Sequence, residues 1–238
     1  MKKSSEFILQ LAVMLLTNKS IAFLLRYTEG KQNYHYQNVS DTISHILGST
    51  PTPDNCAILM VADNGVTSPH LKELSGSVVG GSGTAIFGLD PFDPYSNSTR
   101  DSFAEAVSHM KQLRQTSPCV VLLTVSEDPR FLAELSRCVD RDRLLLWETK
   151  VLAVTKLPLH DLRDFLESSW VFSMTNAMVL NFDDKADGSR GGVYSYLPYG
   201  RSGRGQMVRV GSWSQEDGLT VVSNFQLYPE KYLKSSSW

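Results

Sequence analysis

The glycines of "GSVVGGSG", Gly76 to Gly83, stand where a phosphate could be held. Gly76 and Gly81 have the interval of a phosphate-binding loop, in which backbone N–H groups wrap the anion and a lysine reaches its outer oxygens. Ser82 and Gly83 occupy the positions of that lysine and of the hydroxyl residue after it, so the charge is missing. The stretch also runs into "TAIFGLD", a strand pattern, and offers no helix N-terminus to an anion. A surface loop fits it better. Ser82 lacks the second flanking glycine of a hydrolase elbow, because Thr84 stands there.

The other polar groups assemble no reaction either. His35, His45, His70, His109 and His160 share no metal spacing, and the last two lie off the apolar stripes of their helices. Asp183, Asp184 and Asp187 crowd one turn but do not fit the positions of a calcium loop. Arg190, Arg201, Arg204 and Arg209 put positive charge in or near one hairpin, which suits an anionic partner or a solvated face. No catalytic residue, ligand residue, metal site or cofactor is expected, and the chain does not read as an enzyme.

Three cysteines are too few for a disulfide-built scaffold, and no C-x-x-C spacing suggests zinc. Two of them can pair in an oxidising compartment. Cys119 opens a strand, and Cys138 falls in the last turn of the helix that returns from it, so both belong at one edge of the sheet. A Cys119–Cys138 bridge is the pairing expected. Cys56 also begins a strand and shares that edge, and three buried thiols are the alternative.

The elements that must position these residues follow from periodicity. Val39, Ile43, Ile46 and Leu47 share a helical face that Gly48 ends. "CAILMVAD" and "TAIFGLD" are strands bounded by turn residues. Ser102 and Glu105 have capping-box spacing before the stripe Phe103, Val107, Met110 and Leu113. "CVVLLTV" is a continuous apolar strand of the kind covered on both faces. "SEDP" opens a helix with the stripe Phe131, Leu132, Leu135 and Val139. "RLLLWETKVLAVTK" holds one bent strand or two short ones. Pro158 starts a helix with the stripe Leu159, Leu162, Phe165 and Leu166, and "NAMVLNF" is the strand after it. This alternation predicts an α/β fold with an open, largely parallel sheet and flanking helices. "GGVYSYLPYGRSGRGQMVRVGSW" then reads as a C-terminal antiparallel hairpin.

With 238 residues, 42% hydrophobic content and a net charge of −2, the chain is long enough for one large domain with appendages. The near-neutral balance gives nucleic acid no electrostatic footprint. Lys2 and Lys3, the apolar run Phe7–Leu16 and the small residues Ser20 and Ala22 have the form of a secretory signal over residues 1–22. The alternative is an amphipathic first helix with Glu6, Gln10 and Asn18 on its wet side. The run falls short of the roughly 20 apolar residues that span a bilayer. Asn38-Val39-Ser40 and Asn97-Ser98-Thr99 are glycosylation sequons, so Asn38 and Asn97 are the expected glycan sites.

From Leu144 to Lys234 the phrases "LLLWETKVLAVTKLPLHDLRDFLESSWVFSMTNAMVLNFDD", "GVYSYLPYG", "VRVGSW" and "LYPEKYLK" occur in that order. The run resembles the amino-terminal extracellular region of arthropod ionotropic receptors, relatives of the ionotropic glutamate receptors used in chemosensation. The resemblance implies half of a periplasmic-binding-protein-like domain over residues 23–227. It makes residues 228–238 a connector toward a ligand-binding domain that this sequence does not contain. It implies a plasma-membrane location on the extracellular side, or secretion if the product is truly truncated. Other receptor subunits would be partners, and membrane contact would come only from absent C-terminal segments. It transfers no ligand residue. A cytosolic α/β enzyme or nucleotide-binding protein would need the phosphate loop or catalytic pair that is missing. A secreted decoy or scaffold would share every feature named.

Overall fold

The structure is a computed structural model. It describes residues 42–47, 56–63, 83–90, 93, 95–146, 149–174, 176–182, 190–198, 205–214, 216–223, 225 and 227–228. The expected signal, Asn38 and the Asp183, Asp184 and Asp187 turn lie outside them. Eight strands form one sheet in the order β2-β1-β3-β4-β5-β6-β7-β8. They are β1 (Ala57–Asp63), β2 (Thr84–Leu89), β3 (Val120–Val125), β4 (Lys150–Thr155), β5 (Asn176–Phe182), β6 (Arg190–Leu197), β7 (Gln206–Ser214) and β8 (Gly218–Val221). The first five are parallel and the last three add on antiparallel. The helices are α1 (Asn97–Thr116), α2 (Pro129–Arg141), α3 (Leu159–Ser168) and α4 (Trp170–Met174), with a further helical segment over residues 42–47. The fold class is α/β, with a largely parallel sheet and an antiparallel C-terminal extension, as the alternation predicts.

Strand composition explains the layering. The central runs are apolar at consecutive positions because both faces are covered. Leu59, Val61, Leu122, Val151, Ala153 and Val179 face the helices. Ile58, Met60, Val121, Leu123, Leu152 and Leu180 face the other side, with Ile43 and Ile46 of the 42–47 segment. The crossovers β2 to β3, β3 to β4 and β4 to β5 all advance in one direction along the sheet. Right-handed connections therefore place α1, α2 and α3 on the same face, and Phe103, Phe131 and Phe165 share one core there.

Local signals set the helix starts unevenly. At α2, the Asp128 carboxylate accepts from the Arg130 N–H at 2.8 Å, and Pro129 follows in the first turn. The capping box at Ser102 and Glu105 does not form. α1 begins at Asn97, and the Ser102 hydroxyl donates to the Ser98 carbonyl at 2.9 Å inside the helix. Nothing between Pro94 and Ser102 breaks a helix, and each residue added to an existing helix gains a hydrogen bond. Leu113 and Leu159, expected in buried stripes, are exposed, because each sits in a terminal turn beyond its helix's packed centre. β4 is also shorter than the apolar run suggests. Thr149 turns the chain just before it, with its N–H on the Leu146 carbonyl at 2.9 Å and its hydroxyl accepting from Leu146 N–H at 3.0 Å.

The cysteine pairing differs from the expected one. Cys56 is bonded to Cys119, with Cα atoms 4.6 Å apart, and Cys138 is a buried free thiol. β1 and β3 are neighbours, with Ala57 beside Val120, so the residues preceding each are side by side. Cys138 shares the edge only in projection, because it lies in the helix layer among Leu135, Val139 and Leu144. Burial pushes its thiol up to about 11.

The far end of the chain is also part of the fold. After β8 the backbone reaches Leu227 and Tyr228, both buried against the face opposite the helices. Tyr228, the first residue of the expected connector, has its ring inside the core.

Candidate functional site at the carboxyl edge of the sheet

In an open α/β sheet the loops at the carboxyl ends of the strands surround the crevice where ligands bind. Two polar groups occupy that edge here. One lies where the strand order reverses, between β1 and β3. Ser126 donates its hydroxyl hydrogen to the Asp63 carboxylate, and the Asp128 N–H donates to Ser126 Oγ at 3.0 Å. Asp63 and Ser126 are both buried. This group ties the end of β1 to the start of α2, and Ser126 is fully enclosed, so no substrate reaches it.

The second group lines a recess of about 480 Å³ beyond the end of the helix layer. Lys156, Leu157, Pro158 and Leu159 carry the chain from β4 into α3 and form one wall. Asn181 and Phe182 end β5, and Arg190, Gly191 and Gly192 begin β6 beside them. Tyr194 and Arg209, paired across β6 and β7, complete the lining. Three cations, two aromatic rings and a carboxamide thus converge on one concavity.

The partners of these groups decide what the recess can hold. Lys156 Nζ pairs with Glu127 at 3.0 Å. The Arg209 guanidinium donates to the carbonyls of Gly211 at 3.2 Å and Gly191 at 3.5 Å. Among the described residues no carboxylate lies within ion-pair distance of Arg190 or Arg209. Asn181 Nδ2 donates to the Leu157 carbonyl at 2.9 Å, which fixes the amide orientation. Its Oδ1 is buried without a partner among the described residues. Pro158 caps α3 without a side-chain bond, and Asp161 stands in the first turn of that helix at the same rim.

The glycines make the closeness possible. A Cβ on Gly191 would stand 2.9 Å from the Asn181 carbonyl oxygen, and one on Gly192 would stand 2.6 Å from the Tyr194 ring. Among the described residues no serine, cysteine or histidine lines the recess. A smaller hollow of about 330 Å³, between the start of β1 and the end of α1, is lined largely by small and apolar residues.

The sequence-derived sites scatter by comparison. Asn97 is exposed at the first position of α1, while Thr99 of its sequon is buried. Arg190 and Arg209 meet in the recess, and Arg201 and Arg204 lie outside the described residues. His45, His109 and His160 are exposed on their helices. Of the glycine stretch only Gly83 is described, immediately before β2. Asn181, Lys156 and Tyr194 belong to no binding or catalytic motif of the sequence. An amide at the carboxyl end of an otherwise apolar strand was the available signal for Asn181.

No protein-family model and no curated protein sequence matches the chain. Among solved structures it is similar to GanP, a glucose-galactose binding protein from Geobacillus stearothermophilus, with 12% identity and a TM-score of 0.38. The match covers 64% of this chain and 48% of that one, so the chain spans about half the length of that protein.

Proposed function

We propose that the chain is the amino-terminal extracellular module of a ligand-gated channel subunit of the ionotropic-receptor type, serving assembly or partner contact. The observation that carries this reading is the ordered run from Leu144 to Lys234, whose phrases resemble that region of arthropod ionotropic receptors in order and spacing. The fold uses the residues of those phrases. "VRVGSW" supplies the buried Val210 and Trp213 of β7, and "LYPEK" supplies Leu227 and Tyr228. Among the described residues no helix is long and apolar enough to cross a membrane.

Sequencing of transcripts through the codon for Trp238 tests the reading. The expected result is a reading frame that continues into a bilobed ligand-binding domain and pore helices. A stop codon after Trp238 in every transcript, with a secreted product, would replace the subunit by a free scaffold or decoy. Cytosolic protein that retains Met1 would reject both.

A further inference from the structure

We propose that β2 pairs antiparallel with β2 of a second copy of this chain, across a twofold axis at Ile86, and so joins two sheets into one. β2 is an outer strand of the sheet, paired with β1 alone among the described strands. The register identifies its outer side. Ile58 N–H donates to the Gly83 carbonyl at 2.9 Å, and Ile58 stands beside Thr84, so Gly83, Ala85 and Phe87 turn their backbone groups toward β1. Backbone groups alternate in direction along a strand, so Thr84, Ile86 and Gly88 turn theirs outward. Those outward groups have no partner among the described residues. Ile86 is 42% exposed, and Gly88 is exposed on the same edge. Outer strands are ordinarily guarded against pairing by charge, proline, a bulge or short length. β8, at the other end of the sheet, has four residues and follows Glu216 and Asp217. β2 has six residues without charge or proline, and its register with β1 is unbroken.

The residue order of β2 selects a second copy as the occupant. A twofold axis at Ile86 sets Thr84 against Gly88 of the second copy, and Ala85 against its Phe87. Each larger side chain meets a smaller one, and only Ile86 meets its own image. All three outward residues then form hydrogen-bonded pairs, each exchanging two N–H···O bonds. A twofold contact brings charges near their own images, and like charges directly opposite are destabilising. β2 carries none. Phe87 of the second copy also comes beside Ala85, which lines the hollow of about 330 Å³ together with the exposed Leu113. One strand pair and that hollow make a small interface, so the association is weak, with a Kd of about 10–100 μM. The pairing does not rest on the receptor reading, because a secreted scaffold carries the same edge.

Sedimentation equilibrium of the full chain from about 1 to 300 μM, a span that brackets this Kd, should show monomer giving way to dimer. Hydrogen exchange of the parent should slow at the amides of Thr84, Ile86 and Gly88 as concentration rises. Ile86→Lys sets two ammonium groups across the axis, and Ile86→Glu sets two carboxylates there. Each should weaken self-association by about tenfold or more, and an equimolar mixture of the two should associate again, because opposite charges then face one another. Ile86 is exposed, so thermal unfolding of both variants in dilute solution should match the parent. If either variant fails to fold, hydrogen exchange of the parent decides alone. A parent that stays monomeric through this range would overturn the proposal, even if it pairs with a different protein. So would concentration-dependent protection that lies outside β2, variants that dimerise singly as well as the parent, or a mixture of folded variants that does not associate.

Discussion

The hydroxyl of Tyr228 donates to the carbonyl of Val151 at 3.1 Å, joining positions 77 residues apart. The Lys150 ammonium lies over the same ring, 5.7 Å from its centre. Tyr228 holds a left-handed backbone, with φ of 52°, which costs about 1–2 kcal/mol for a residue with a side chain. Burial of the ring and the bond to β4 offset that cost. The end of the described chain is thereby fastened beneath the centre of the sheet.

Burial of that phenol makes stability sensitive to alkali. Burial raises the Tyr228 phenol well above its usual range, so the folded state keeps the proton that the unfolded chain releases at about pH 10. The stabilisation is complete below pH 10 and is lost as pH rises, by about 1.4 kcal/mol per unit. Tyr228→Phe should cost about 1 kcal/mol at neutral pH, for one hydrogen bond. Urea titrations at rising pH should then show the gap between parent and variant closing above pH 10. A constant gap to pH 11 would mean that the phenol is solvated.

The Cys56–Cys119 bridge closes a separation of 63 residues. Its removal should lower stability by about 4 kcal/mol on the chain-entropy model. Non-reducing peptide mapping should recover that pair. Cys138, with its thiol pushed up to about 11 by burial, should resist alkylation at pH 8 until the protein is unfolded. A Cys119–Cys138 peptide, or rapid labelling of Cys138 in the native state, would contradict the arrangement.

Gly191 and Gly83 should respond oppositely to alanine. The new Cβ at residue 191 would meet the Asn181 backbone oxygen at 2.9 Å, which a sheet cannot move cheaply. The expected cost is about 1–3 kcal/mol. At residue 83 nothing lies within 4 Å, and loss of unfolded-chain freedom should stabilise by about 0.4–1 kcal/mol. Thermal unfolding of the two variants decides the order.

Asn97 is placed for a glycan, exposed at the start of α1. Secreted protein should shift in mobility on glycosidase treatment, and Asn97→Gln should remove one step of that shift. Asn97→Gln is a cleaner variant than a Thr99 substitution, because Thr99 is buried and its loss would also disturb packing. Unchanged mobility of the secreted parent would reject glycosylation at this sequon.

By itself the sequence determined the elements that depend on neighbours along the chain. "CVVLLTV", "NAMVLNF" and the stripe Phe131, Leu132, Leu135 and Val139 are legible because strand and helix periods are written locally. The largely parallel sheet follows from their alternation. What only the tertiary structure decided is which strands are neighbours. The placement of β1 beside β3 gives Cys119 to Cys56 instead of Cys138. The meeting of β5 with β6 brings Asn181 to Gly191 and Gly192, and the pairing of β6 with β7 sets Tyr194 opposite Arg209. Strand order is chosen by burial over the whole sheet, and no short window of sequence contains that sum. The recess belongs to this second kind, because its lining comes from four separate stretches of chain, and their nearness exists only once the sheet has formed.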